Sequence, residues 1–158
     1  MSALPIRTNS WGFGPQIALT FRVSGGLITS ITLSPSKTFT CFIEGKGIDR
    51  EIFSFINAYL EGKKGPPLPL DWSLFTPFRR KGLETIQNVP IGSVASYGEI
   101  ASRMGCVKGA RAVGNVCNKN PYPFVIPCHR IIHSSGKIGG FAYDLKLKQT
   151  LLDFESHI

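Results

Sequence analysis

Residues 17–23 alternate without a break: Ile17, Leu19, Phe21 and Val23 fall on one face, Ala18, Thr20 and Arg22 on the other. A period of two predicts a strand with one buried face. Ser24-Gly25-Gly26 supplies a turn, and Leu27, Ile31 and Leu33 share one face of a second strand, so 17–33 reads as a β-hairpin. Residues 38–43 add a third strand. The period then changes. From Asp49, read as a cap, Ile52, Phe53, Ile56, Tyr59 and Leu60 recur at helical spacing until Gly62. The first part is therefore expected to be a small α+β unit on an antiparallel sheet.

Gly65-Pro66-Pro67-Leu68-Pro69 reads as a linker by composition, dividing the chain into 1–68 and 69–158. Thr76-Pro77 starts a helix, with Phe78, Leu83, Ile86 and Val89 as its apolar stripe. Two short helical patterns follow. The first, 97–104, turns Ile100, Ala101 and Met104 inward; the second, 110–118, does so with Val113, Val116 and Cys117. A pair of short helices around a glycine-containing turn is a helix-turn-helix pattern, although such pairs also occur in ordinary cores. Residues 120–130 read N-P-Y-P-F-V-I-P-C-H-R, and three prolines suggest a stiff apolar strand ending in a thiol. Beyond Ile131-Ile132 come a Ser134-Ser135-Gly136 turn, a glycine-aromatic loop at 139–143, and a last helix at 145–156 burying Leu147, Leu151 and Phe154.

Charge sharpens this picture by its placement. The net charge is +8, yet no carboxylate occurs between Glu99 and Asp144, an interval carrying Arg103, Lys108, Arg111, Lys119, Arg130 and Lys137. A polyanionic partner, nucleic acid first, fits that distribution, with a solvated basic face as the alternative. The four cysteines form no C-x-x-C pair and are expected to be free thiols in a reducing compartment. A zinc site from Cys117, Cys128, His129 and His133 would need unusual spacing, so no metal is expected. No apolar run is long enough for a membrane span, and no signal-peptide pattern opens the chain, so a soluble cytoplasmic protein is expected.

Cys128 is the candidate nucleophile. A thiol attacks as its thiolate, and a nearby base or cation promotes that form. His129 adjoins it, but neighbours on a strand face opposite ways, so contact requires a bend or a bridging water. Glu155 borders the apolar stripe of the last helix, where a carboxylate wants a buried partner; an exposed helix-end glutamate is the alternative. The outward face of the second short helix places one long cation, Arg111, among Ala110, Ala112, Gly114, Asn115 and Asn118. Such a surface lets a backbone approach another polymer closely, though Arg111 also fits an ordinary solvated arginine.

These residues, taken together, resemble the O6-alkylguanine-DNA alkyltransferase family. The matching stretches are F-T-P-F at 75–78, S-Y-G-E-I-A at 96–101, A-R-A-V-G at 110–114, N-P at 120–121, I-P-C-H-R-I-I at 126–132, S-S-G at 134–136, G-G-F at 139–141 and the helix from Lys148 to Glu155. The resemblance covers roughly 75–155. It implies a ribonuclease-H-like N-terminal domain with an antiparallel sheet and a mostly helical C-terminal winged helix-turn-helix domain. It also implies single-turnover repair of double-stranded DNA by transfer of an alkyl group from O6-alkylguanine, with O4-alkylthymine as a second lesion, to Cys128. His129 would activate the thiol through a water, Glu155 would orient His129, Tyr97 would protonate the leaving base, and Asn120 would hinge helix to thiol segment. Arg111 would fill the gap left by a flipped nucleotide in the minor groove, alongside DNA contacts from Tyr97, Gly109, Ala110, Ala112, Gly114 and Ser134. Arg130 would be structural. Cys117, Pro123, Phe141 and Ala142 would form the base pocket, where Ala142 and Cys117 depart from some relatives. No cofactor and a monomer are implied. The alternatives are a winged helix-turn-helix regulator, a lesion-binding relative without chemistry (against which Cys128 stands) and a Cys-His hydrolase.

Overall fold

The computed structural model describes residues 6–139 and 143–158. Four strands, β1 (Ile6–Trp11), β2 (Ile17–Ser24), β3 (Leu27–Pro35) and β4 (Phe39–Glu44), form one sheet in the order β1-β4-β2-β3. The hairpin is as expected: β2 and β3 pair antiparallel from Ile17 opposite Pro35 to Ser24 opposite Leu27. The sheet as a whole is not antiparallel. Strand β4 runs parallel to β2, with Ala18 opposite Thr40 and Arg22 opposite Glu44, because residues 36–38 carry the chain past the start of β2 to its far side. Strand β1 has no alternating pattern. It lies at an edge with its side chains largely exposed, and is held by its backbone ladder to β4 and by the ion pair of Arg7 with Asp49. That pairing also corrects the role of Asp49. It is the first residue of α1 (Asp49–Leu60), and the cap position belongs to Ile48 at φ 56°.

Helix α1 lays Ile52, Ile56 and Tyr59 into the core. The following segment is no free spacer: Leu68 and Leu70 are buried, and the strip is tied to β3 by Ile28 N donating to Pro69 O and Asp71 N donating to Ile28 O. Helix α2 (Pro77–Gln87) starts as expected, with the Thr76 hydroxyl accepting from Arg79 N at 3.2 Å. Its buried stripe is Gly82, Leu83 and Ile86. Phe78 is 41% exposed, since a five-residue offset from Leu83 puts it on another face. A Cβ at Gly82 would stand 3.1 Å from Val116 Cγ1, so glycine allows α2 to approach α4 closely.

Helix α3 (Tyr97–Arg103) is capped by Ser96, whose hydroxyl accepts from Glu99 N. Helix α4 (Ala110–Asn118) buries Val113, Val116 and Cys117, the expected i, i+3, i+4 set. A short parallel pair, β5 (Ala95–Ser96) with β6 (Ile131–Ile132), ties α3 to the segment after Cys128. Helix α5 (Leu145–Glu155) closes the fold. The chain is thus α+β, with a mixed four-stranded sheet and, among the described residues, five α-helices, none long and apolar enough to cross a membrane. Its buried apolar residues form a single cluster that includes side chains from both halves.

Candidate active site

The segment before Cys128 is not a strand. Residues 121–126 fold as successive turns, and Cys128–Arg130 forms one turn of 3-10 helix. The prolines that stiffen the segment also remove the N–H groups a ladder needs. Tyr122, Phe124, Val125 and Ile126 are all buried, Phe124 with φ 75°. Asn120, buried at the C-terminal end of α4, holds these turns. Its Oδ1 accepts from Tyr122 N at 2.9 Å, and its Nδ2 donates to Ile126 O at 3.0 Å and lies 3.3 Å from Cys128 Sγ. One amide therefore joins α4 to the thiol. Asn120→Ala is expected to lower stability by roughly 2–4 kcal/mol, because two buried backbone groups lose their partners. A urea midpoint equal to that of the parent would show that these bonds do not hold the turns.

The 3-10 turn supplies the bend that a strand would deny to adjacent side chains. His129 is fully buried, and its Nε2 lies 2.6 Å from Glu155 Oε2. Glu155 is 2% exposed. It also accepts from Tyr59 Oη at 2.8 Å and from Arg130 Nε at 2.7 Å, while Arg130 Nη1 donates to Val89 O. The expected partner for a carboxylate on this stripe is thus present threefold, and Arg130 sits in a buried polar network as expected. Burial would raise the Glu155 carboxyl, but His129 and then Arg130 outweigh it and hold the group at about 2. Burial lowers His129 from its ordinary value. A carboxylate at Nε2 fixes the proton on that nitrogen, which leaves Nδ1 as a bare acceptor. Nδ1 is buried and has no hydrogen-bond partner among the described residues.

Burial raises the Cys128 thiol, with Asn120 and Lys148 opposing the rise. The resting sulfur therefore carries its proton, and the adjacent imidazole is neutral and able to accept one. Lys148 is a site residue that the apolar pattern of α5 concealed. It is fully buried, and its Nζ donates to Ile131 O at 2.7 Å and lies 6.0 Å from the Tyr97 ring centre. Its signal was available: Lys148 and Glu155 are two helical turns apart on the stripe that holds Leu151. Burial above all pushes the half-buried Tyr97 phenol up to about 12, with the nearby thiols Cys117 and Cys128 opposing a further negative charge, so these two cysteines, Tyr97 and Lys148 form one electrostatic neighbourhood.

Tyr97 also faces outward. With His133, Ala110, Arg111, Gly114, Asn115 and Asn118 it lines an open groove of about 390 Å³. Arg111 is exposed there. Gly109 caps α4, and a Cβ on it would stand 2.9 Å from Cys106 Cβ. Ala112 lies outside the groove lining, and so does Ser134, exposed in the turn after His133. Pro123 and Cys117 are buried. Phe141 and Ala142, the other expected pocket residues, lie outside the described residues.

The family model of the 6-O-methylguanine DNA methyltransferase DNA binding domain matches residues 77–157. A methylated-DNA–protein-cysteine methyltransferase of Methanosarcina mazei is 35% identical over 119 residues, 73% of this chain and 73% of that protein. The chain belongs to the methylated-DNA–protein-cysteine methyltransferase family. Its Mycobacterium leprae relative is 32% identical over 84% of this chain and 82% of its own length. The crystal structure of Mycobacterium tuberculosis OGT in complex with DNA superposes with a TM-score of 0.74 at 31% identity, covering 96% and 92% of the two chains. As a member of the methyltransferase family, the chain is a DNA-binding repair enzyme that transfers an alkyl group from DNA to a cysteine of the protein.

Proposed function

We propose that the acceptor is Cys128 and the substrate O6-alkylguanine in duplex DNA, with O4-alkylthymine as a second lesion. The observation that carries this is the buried relay from Cys128 through the 3-10 turn to His129 and Glu155. In the proposed step His129 Nδ1 takes the thiol proton through a water, and Sγ attacks the alkyl carbon opposite O6. The C–O6 bond breaks with its electron pair passing to the guanine, which takes a proton at N3 from Tyr97; the proton on His129 then returns through solvent to the phenolate, so that the net change is one proton from thiol to base. A protonated phenol suits that donation, and Tyr97 is held protonated. A thioether is the product, and nothing in the relay regenerates the thiol, so one protein molecule repairs one lesion.

DNA would lie along the groove of Tyr97 and α4 through its minor groove, where Ala110 and Gly114 permit close approach and Arg111 replaces the flipped nucleotide. Gly109, Ala112 and Ser134 would add backbone contacts at its margins. The flipped base would enter a pocket of Cys117, Pro123, Phe141 and Ala142, with Asn120 keeping Cys128 in register with α4. Two domains, 1–68 and 69–158, follow from this reading. The first would be ribonuclease-H-like and the second a winged helix-turn-helix with α3 and α4 as its helix pair, acting as a monomer in the cytoplasm.

Incubation with a duplex containing O6-methylguanine is expected to add one methyl mass to the peptide holding Cys128, at one equivalent per protein. Repaired DNA beside an unmodified Cys128 peptide would remove the mechanism.

A further inference from the structure

We infer that His133 is a DNA-contacting residue that both braces the Tyr97 ring and offers an imidazole N–H to a backbone phosphate; this rests on the groove being the DNA site. The backbone register places the two side by side. Ser96 pairs with Ile132 in the β5–β6 ladder, and Tyr97 and His133 are the residues that follow each. Their ring centroids are 5.3 Å apart at an interplanar angle of 52°.

The arrangement is held from several sides. His133 N donates to Lys137 O, and Gly136 N donates to His133 O, closing the turn that fixes the histidine backbone. Gly139 packs over the pair: a Cβ there would stand 3.1 Å from Tyr97 Oη and 3.2 Å from His133 Cδ2, and its φ of 77° suits glycine. Lys148 Nζ lies 6.0 Å from the centre of the Tyr97 ring. The phenol thus has an imidazole and an ammonium as close neighbours.

His133 is an exposed residue; its Nε2 edge lies beside Gly139, where a Cβ would stand 3.3 Å away, which leaves Nδ1 as the nitrogen for the phosphate. No carboxylate lines the groove, and none occurs in the sequence between Glu99 and Asp144. An anion meets no repulsion there, and Arg111 of the same groove supplies a cation. A histidine N–H on a phosphate oxygen is a charge-assisted hydrogen bond, and phosphate contacts of this kind set register on a duplex. Two roles then fall to one side chain: its ring face keeps the phenol aimed at the base, and its edge fixes the strand carrying that base.

The test compares His133→Ala, His133→Phe and Arg111→Ala with the parent, on duplex O6-methylguanine and on free O6-benzylguanine, which needs no duplex. His133→Ala is expected to slow duplex repair about tenfold, the loss of one charge-assisted bond, and to slow reaction with the free base by a smaller factor, through the lost ring contact with Tyr97 alone. His133→Phe keeps the ring contact but has no N–H, and is expected to recover only part of the duplex rate. Duplex repair at the parental rate in His133→Ala, or equal losses on both substrates, would overturn the proposal. Full recovery in His133→Phe would overturn its phosphate half. Arg111→Ala answers a separate question: if it leaves duplex repair intact, the groove reading itself fails.

Discussion

Glu155→Leu is expected to cost about 3–5 kcal/mol of stability at pH 7, since it strands the buried Arg130 guanidinium and removes acceptors from His129 and Tyr59. Pairing it with Arg130→Met removes the stranded charge and is expected to recover most of that loss. Chemical unfolding of the single and double variants is the measurement, and additive losses would show that the two residues do not act as one unit. The same network predicts acid sensitivity. Glu155 is held at about 2 against an ordinary 4.5. A depressed carboxyl contributes stability that is present above its unfolded value and lost as pH falls through the folded one, so this part, on the order of 3 kcal/mol, disappears between roughly pH 4.5 and 2. His129, lowered by burial, acts in the same direction earlier: the unfolded chain takes up its imidazole proton first, so stability begins to fall once pH drops below 6.5. Unfolding midpoints that stay level from pH 7 to 3 would contradict both statements.

Arg111→Ala is expected to reduce repair of duplex lesions by about a hundredfold to a thousandfold while leaving reaction with a free alkylated base near the parental rate. Extrusion of a base costs a few kcal/mol, and each 1.36 kcal/mol is a factor of ten in rate. Arg111 is exposed on α4 beside small residues, so its loss leaves the core intact, and a change in rate reads its work on DNA. Single-turnover rates on the two substrates decide the matter; equal losses would show that Arg111 serves the chemistry and not the flipping.

Much of this was written plainly in the sequence where packing is local. The alternation of 17–23 and the inward set Val113, Val116 and Cys117 depend only on which face is buried, and both stand in the structure. Three features were hidden for distinct reasons. Strand β1 is an edge whose stability comes from backbone pairing, which leaves no hydrophobic period. The parallel course of β4 depends on which side of β2 a three-residue connection crosses, and side-chain pattern does not encode that choice. The turns at 121–126 were obscured because an apolar run with prolines looks equally like a stiff strand, and only the absence of ladder donors separates the two. In the site, Cys128, His129 and Glu155 were legible because a thiol, an imidazole and a stripe-bordering carboxylate each imply partners. Lys148 was not, because its neighbours on the helix are apolar and its charge reads as surface until the period is followed to Glu155. Tyr59 contributes from α1, far away in the chain, and nothing local announces it.

The place of Glu155 in the chain has a consequence for synthesis. It is the last of the relay residues in sequence order, so on the ribosome Cys128, His129 and Arg130 emerge before the carboxylate that organises them. Until α5 arrives, the imidazole has no fixed tautomer and the guanidinium no counter-charge, and the nascent thiol is an ordinary cysteine. N-terminal segments fold first during translation, so the sheet, with Tyr59 facing its core, can form early and wait for the final helix to dock. If Cys128 is the acceptor, as proposed, the reactive centre is completed by the closing of the fold and not by the appearance of its nucleophile.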